Sequence, residues 1–438
     1  MPRAGGSHRH GTCPVSPAWL LPAGQPEKEP SGPCIDGASA HQALAYTPHR
    51  GTNPSSPGEN KAAFGFCRCP QVLFAACELG VFDLLAEAPG PLGSAAVAAH
   101  LGISCRGTEQ LLDACVLLKL LHVEMRRGEG KSVYANTELA SAYLAGTSPT
   151  SQQHMLLYVA RTTYLCWAHL AEAVREGKNQ YLKAFGVPSE ELFSAIYRSE
   201  GERLQFLRGL GDVWSVEGRG VLAAFDLSPF PLVCDLGGCS GALAKECTSL
   251  YAGCHVTVFD MPDVVQMAKR HFSFPEDGRI SFREGDFFKD PLPEADLYLL
   301  ARVLHDWTDD KCSRLLARIH GACRTGGGIL VIESLLDADG RGPLTTQLYS
   351  LNMLVQTEGR ERTPAQYRAL LAPAGFHDIQ CRRTGGTYDA ILARKRHSHR
   401  GEATGSSERR SSWIGVALGT PAPFLSVQSS SLEDIRSV

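Results

Sequence analysis

His305, Asp306 and Trp307 come directly after an apolar run, Ala295 to Leu304, that reads as a β-strand. An imidazole with an ordinary pKa of about 6.5 suits proton abstraction near neutral pH, so His305 is a candidate general base. It reads equally as part of a cap for a helix starting near Asp309. Two carboxylates, Glu333 and Glu361, are candidates to accept the second ring N–H of His305 and fix its tautomer, and either could instead be a surface ion-pair partner.

A second constellation lies upstream. Pro231 to Gly241 is a short apolar strand that runs into a glycine-dense turn, Gly237, Gly238 and Gly241, and then into a helix. Glycines let the backbone approach a ligand closely, and the helix N-terminus carries partial positive charge. Asp260 ends the next strand about twenty residues on, the place where a carboxylate takes ribose hydroxyls. Its alternative is to cap the helix that begins at Pro262. Gly285, Asp286 and Phe287 close a third strand, where a carboxylate beside an aromatic could bind an adenine edge and face. Arg302 and His305 follow the fourth. Tyr197 and Trp214, on the helices before the glycine turn, are core residues that could also present ring faces to a cationic ligand.

These residues need a parallel sheet to bring them to one edge, and from Pro231 onward the pattern supplies one. Strands and helices alternate to Ser334, as in a doubly wound α/β sheet. The stretches His377 to Arg383 and Tyr388 to Arg394, joined through Gly385 and Gly386, read as an antiparallel pair that ends it. The preceding half is helical. A helix from Gln71 to Ala88, a helix–turn–helix around Gly102 to Ser104, and a hairpin around Gly128 to Gly130 together make a winged-helix-like module. Only Lys119 is basic on its second helix, beside Glu109 and Asp113, so packing is expected there and not phosphate contact. Segments 1–65 and 396–438 are rich in Gly, Pro, Ser and His without period and are expected to be disordered.

Composition narrows the ligand class. The 438 residues carry 46 acidic against 43 basic side chains, a net charge of −3 that gives no overall attraction for nucleic acid or anionic membranes. No apolar run is long enough to span a bilayer and the N-terminus has no signal-peptide core, so a cytoplasmic protein is expected. Most of the 15 cysteines sit in apolar periodic segments and read as free buried thiols. No cysteine or histidine spacing fits a structural zinc, and no metal is expected.

Taken together, Asp235 to Gly238, Val258 to Asp260, Glu284 to Phe288 and Leu304 to Trp307 resemble the S-adenosylmethionine-dependent small-molecule O-methyltransferases, within them the branch acting on hydroxyindoles. The resemblance covers about residues 71–395. It implies a helical, winged-helix-like dimerisation and substrate domain over 66–225 and a Rossmann-like methyltransferase domain over 226–395. It further implies a homodimer, S-adenosyl-L-methionine as methyl donor, and transfer to the 5-hydroxyl of N-acetylserotonin to give melatonin. On this resemblance Tyr197, Trp214, Gly237, Asp260, Gly285, Asp286, Phe287 and Arg302 contact the donor and His305 is the base. Asp306, Asn352 and Gln356 orient the acceptor, the last two lying four apart on one helix face. Two departures stand out. Cys239 occupies a position that is glycine in the family, which costs about 1 kcal/mol if the backbone there requires positive φ. The region before Gln71 lacks the family's first helix. These departures motivate one rival reading, a catalytically impaired enzyme of the same fold; a second rival, a winged-helix binding protein, comes from the winged-helix-like module.

Overall fold

The computed structural model describes residues 68–125, 131–188 and 192–396. The expectations for both termini and for the Gly128 to Gly130 turn lie outside the described residues.

The N-terminal part is helical around a three-stranded sheet. Helices α1 (Cys69–Glu78) and α2 (Val81–Glu87) lead to strand β1 (Leu92–Gly93), α3 (Ser94–Leu101), α4 (Cys105–Leu117), β2 (Leu121–Met125), β3 (Ser132–Asn136) and α5 (Glu138–Tyr143). The expected single helix from Gln71 is two, because Gly80 takes φ 76° and turns the chain. Ser104 caps α4 by accepting from the Gly107 N–H at 3.1 Å, and the antiparallel order β1-β3-β2 packed on α3 and α4 is the winged-helix arrangement.

A helical bridge follows: α6 (Gln153–Tyr158), a π-helical turn Val159–Thr163, α7 (Tyr164–Trp167), α8 (Leu170–Glu176), α9 (Tyr181–Phe185), α10 (Leu192–Ile196) and the 23-residue α11 (Glu200–Leu222). The break before α11 comes at Ser199, whose hydroxyl accepts from the Glu202 N–H, and Glu200 and Glu202 favour the positive end of the helix. Helix α6 crosses α11 closely, since a Cβ on Gly209 would lie 3.1 Å from the Met155 Cα.

The second part is the expected α/β sheet. Its elements are β4 (Leu232–Leu236), α12 (Ala242–Leu250), β5 (His255–Asp260), α13 (Pro262–His271), β6 (Ile280–Glu284), β7 (Ala295–Ala301), a 3₁₀ turn Leu304–Asp306, and α14 (Asp309–Ala322). There follow β8 (Cys323–Glu333), α15 (Leu344–Gln356), α16 (Pro364–Leu371), β9 (Phe376–Arg382) and β10 (Asp389–Lys395). The seven strands run β6-β5-β4-β7-β8-β10-β9, parallel through β8, with β10 and β9 antiparallel. Strand order reverses between β4 and β7, so the ligand crevice of such a sheet must open beyond their carboxyl ends.

Alternation along the strands feeds two cores. Cys234, Leu236, Tyr298, Leu300, Ile329 and Val331 face α14 and α16, whereas Val233, Val258, Leu297, Leu299 and Ile332 face α11 and α12. Burying each large aliphatic side chain contributes about 1.5–3 kcal/mol, which sets the sheet rigidly enough to aim its loops.

One buried cation ties those loops together. The Arg362 side chain, 1% exposed, donates from Nη1 to the Leu304 carbonyl at 2.9 Å and from Nη2 to the Trp307 carbonyl at 2.8 Å. Its Nε and Nη2 also donate to Asp309 Oδ1 at 2.9 and 2.7 Å. Replacing Arg362 with Met leaves two carbonyls and the partner carboxylate without this donor. A loss of about 1–3 kcal/mol is expected, read as a lowered denaturant midpoint; an unchanged midpoint would show that the staple is dispensable.

Candidate active site

A cleft of about 730 Å³ opens at that sheet edge. Its wall includes Tyr197, Gly237, Cys239, Asp260, Gly285, Asp286, Phe287, Arg302, Asp306 and Trp307. Seven of the eight residues expected to contact the donor are therefore brought together. Trp214 stands apart: it is buried in the core beside Tyr388, ring centroids 5.5 Å apart, and is not part of the cleft wall.

The glycine turn is shaped by close approach. Gly237 takes φ 74° and its N–H donates to the Phe259 carbonyl at 2.8 Å, while a Cβ on Gly238 would lie 2.5 Å from Asp235 Oδ2. Asp260 is oriented by the backbone: Oδ2 accepts from the Cys239 N–H at 2.9 Å and Oδ1 from the Met261 N–H at 2.7 Å. Burial pushes its carboxyl up to about 6, against the pull of these two amides. The expected cap is not made, since Met261 is the N-cap of α13 and no side chain caps it; Asp260 instead ties the glycine turn to its own strand end and lines the cleft.

Gly285 allows its loop to sit on the Phe259 ring, which a Cβ would strike. Asp286 accepts from the Phe288 N–H at 2.8 Å and pairs with Lys289, while Phe287 and Phe288 meet Trp307 edge-on. Arg302, at φ 58°, extends over the Tyr388 ring with its centre 5.4 Å from the centroid, and its buried Nε has no hydrogen-bond partner among the described residues. Non-glycine residues in the left-handed region are uncommon, and two of them, Cys239 and Arg302, stand on this one edge.

His305 is 4% exposed and sits behind Asp306. Its Nδ1 lies 2.8 Å from Glu361 Oε1 and 3.4 Å from Glu333 Oε2, and its Nε2 is 3.6 Å from Asp306 Oδ1. The two glutamates, indistinguishable in the sequence, have different tasks. Glu361 is the hydrogen-bond partner of the ring nitrogen Nδ1. Glu333 Oε1 accepts from the Leu304 and His305 N–H groups at 2.9 and 3.2 Å and so holds the turn that carries the imidazole. Glu333 Oε2 and Glu361 Oε2 have no hydrogen-bond partner among the described residues, which favours the acid form; burial pushes Glu361 up to about 8 and Glu333 up to about 7. The ligand atoms of His305, Glu333 and Glu361 lie within 4.8 Å of one another, a grouping that could also hold a cation and that no sequence spacing signalled. Gly359 is obligatory here: a Cβ would collide with the His305 carbonyl oxygen.

Asn352 and Gln356 lie outside the cleft wall, joined by a Gln356 Nε2 to Asn352 Oδ1 bond of 2.6 Å. Around them gather residues that the sequence did not single out: Trp167, Tyr158 and Tyr181. Their aromatic character gave no signal distinguishable from core packing.

The residues at the cleft fit a nucleoside-containing donor. A cradle that a Cβ would fill at Gly237, an oriented carboxylate at Asp260, and a guanidinium nitrogen awaiting a partner at Arg302 are the groups required.

Comparisons with known proteins agree. Residues 167–377 match the model of an O-methyltransferase domain and residues 61–146 that of an O-methyltransferase dimerisation domain. The chain is 77% identical over 325 residues to acetylserotonin O-methyltransferase of Bos taurus, covering 74% of this chain and 94% of the relative. Against the protein of that name from Homo sapiens the identity is 70% over 336 residues, 77% of this chain and 96% of the relative. A crystal structure of human N-acetylserotonin methyltransferase in complex with SAM superposes with TM-score 0.76 at 67% identity, covering 79% of this chain and all of that one.

Two predictions follow from this geometry. At Cys239 the φ of 56° strains an L-residue by about 1–2 kcal/mol, whereas glycine would forfeit a similar amount in chain entropy and sulfur burial. Cys239→Gly should therefore leave the melting temperature nearly unchanged yet tighten donor binding several-fold in a calorimetric titration; equal affinity would show the thiol to be harmless. Asp235, buried beside Asp260, is raised from 3.8 to about 7 by burial first and its neighbour second. A carboxyl that holds its proton more tightly when folded favours folding below its unfolded value and loses that contribution as pH rises through about 7. Thermal stability should fall between about pH 4 and about pH 7, and Asp235→Asn should flatten that fall; an identical slope would remove Asp235 as its source. Cleft and matched relatives converge on one assignment: the chain belongs to the O-methyltransferase family, in the branch of the acetylserotonin O-methyltransferases.

Proposed function

We propose that this chain transfers a methyl group from S-adenosyl-L-methionine to the 5-hydroxyl of N-acetylserotonin, giving melatonin. The observation that carries the reading is the Nδ1 to Glu361 contact of 2.8 Å, which engages one imidazole nitrogen and places the other, Nε2, 3.6 Å from the cleft-wall residue Asp306. A phenol-like hydroxyl of pKa near 10 is a weak nucleophile at neutral pH, and His305 Nε2 takes its proton as the oxygen attacks. Glu361 and Glu333 flank the ring and hold it in place.

When bound, the donor supplies an electrophilic methyl on a sulfonium. Asp260 takes its ribose hydroxyls, Asp286 and Phe287 its adenine, and Arg302 its carboxylate, while Tyr197 offers a ring face to the cationic sulfur. Asp306, Asn352 and Gln356 take the acceptor. Excluding water from the cleft strengthens each of these interactions, and holding oxygen, carbon and sulfur in line contributes more than the base does.

We further read residues 66–225 as the part that pairs two copies. Leu117, 84% exposed, and Met125, 65% exposed, lie on the part matched by the dimerisation model and support a homodimer. Among the described residues no single helix is long and apolar enough to cross a membrane. No disulfide forms among the described residues, which supports a reducing cytoplasmic setting.

Labelled methyl transfer to N-acetylserotonin tests the reading directly, and a catalytically impaired chain would give none. His305→Ala should lower turnover by about 10²–10⁴ while donor affinity stays within about twofold; undiminished turnover would remove His305 from the mechanism.

A further inference from the structure

The acceptor pair is held in a hydrogen-bond network whose direction can be read atom by atom. Trp167 Nε1–H donates to Asn352 Oδ1 at 2.9 Å. Gln356 Nε2 donates to that same oxygen at 2.6 Å and to Thr163 Oγ1 at 3.5 Å. Gln356 Oε1 accepts from the Tyr181 and Tyr158 hydroxyls at 3.1 and 3.4 Å.

An indole nitrogen can only donate, so the Asn352 atom facing it must be the carbonyl oxygen. The Gln356 atom beside that oxygen must then be its amide nitrogen, because two carbonyl oxygens cannot share a proton that neither carries. Gln356 oxygen is thereby turned to the two tyrosines, which donate to it. Hydroxyls and amides can all reverse roles or flip, and the indole cannot. One donor-only group therefore sets the polarity of the whole network. What it leaves over is Asn352 Nδ2, which makes no hydrogen bond among the described residues, on a half-buried side chain, whereas Gln356 is only 5% exposed and fully engaged.

We propose that Trp167 is a positioning residue that fixes the polarity of the acceptor-binding amides, so that Asn352 presents N–H donors and selects acceptors bearing a neutral carbonyl oxygen. An N-acylated amine offers that oxygen. A free amine, protonated at neutral pH, sets a donor against a donor and leaves both unpaired, which is how polar sites reject a mismatched ligand strongly. The proposal rests on the reading that Asn352 meets the acceptor. The π-helical turn Val159–Thr163, which brings Thr163 to Gln356 and leads into α7, then has a reason to interrupt the helix just before Trp167.

The experiment compares kcat/KM for N-acetylserotonin and for 5-hydroxytryptamine in the full chain and in Trp167→Phe, which keeps a ring and removes the N–H. The parent should favour the N-acyl acceptor. In Trp167→Phe that preference should contract by roughly tenfold, through KM for the N-acyl substrate, with kcat and donor affinity nearly unchanged. A purely structural role would lower both substrates alike, and an unaltered ratio overturns the proposal. Asn352→Asp provides an independent arm, replacing the donor by an acceptor. It should shift preference toward the amine, and a ratio that stays put there also overturns the proposal. Absence of turnover with either acceptor in the parent would refute the methyl-transfer reading instead. Calorimetric affinities of the two acceptors for parent and variants would then decide the polarity question by the same ratio.

Discussion

The buried guanidinium of Arg362 is the interaction on which the site depends. A charge taken out of water is tolerable only when its hydrogens are spoken for, and here the donors go to the Leu304 and Trp307 carbonyls and to Asp309. Those partners bracket the turn that carries His305. The same loop brings Glu361 to the imidazole and Gly359 against the backbone of the turn, so one cation registers His305, its hydrogen-bond partner Glu361 and the start of α14.

Around this staple the protein keeps an excess of carboxylates in a dry region. Glu333, Glu361, Asp306, Asp260 and Asp235 are all raised by burial, and few of them have an ion partner of their own. Such an arrangement is a poor way to gain stability. These groups gather at the site: Asp260 and Asp306 line the cleft, and Glu333 and Glu361 flank the His305 ring. The strained backbone at Cys239 and Arg302 belongs to the same economy of function over stability, placed where the strands β4 and β7 deliver their loops.

The alternating strands, the antiparallel closing pair and the winged-helix-like module were legible because each rests on local periodicity and turn residues. Local signals were also where the reading was coarse. Gly80 split a helix that apolar spacing alone made continuous, and β8 begins at Cys323, before the glycine run, because Gly327 and Gly328 lie so close to the backbone of neighbouring strands that a Cβ would collide. Trp214 shows the limit for side chains. Its type suits a cation, yet which face of a 23-residue helix it takes, and that Tyr388 waits there, depends on packing between segments far apart in sequence.

The sequence by itself determined that a glycine turn, an acidic strand end and a histidine after a fourth strand would share one sheet edge, since strand order and the parallel connections follow from local pattern and handedness. It also marked Cys239 as the residue out of place. Only the tertiary structure decided between Glu333 and Glu361, exposed Arg362 as the staple, and joined Trp167 to Asn352 across 185 positions of chain. Those choices turn on distances of a few tenths of an ångström and on which atom can donate, and neither is written in residue type or spacing.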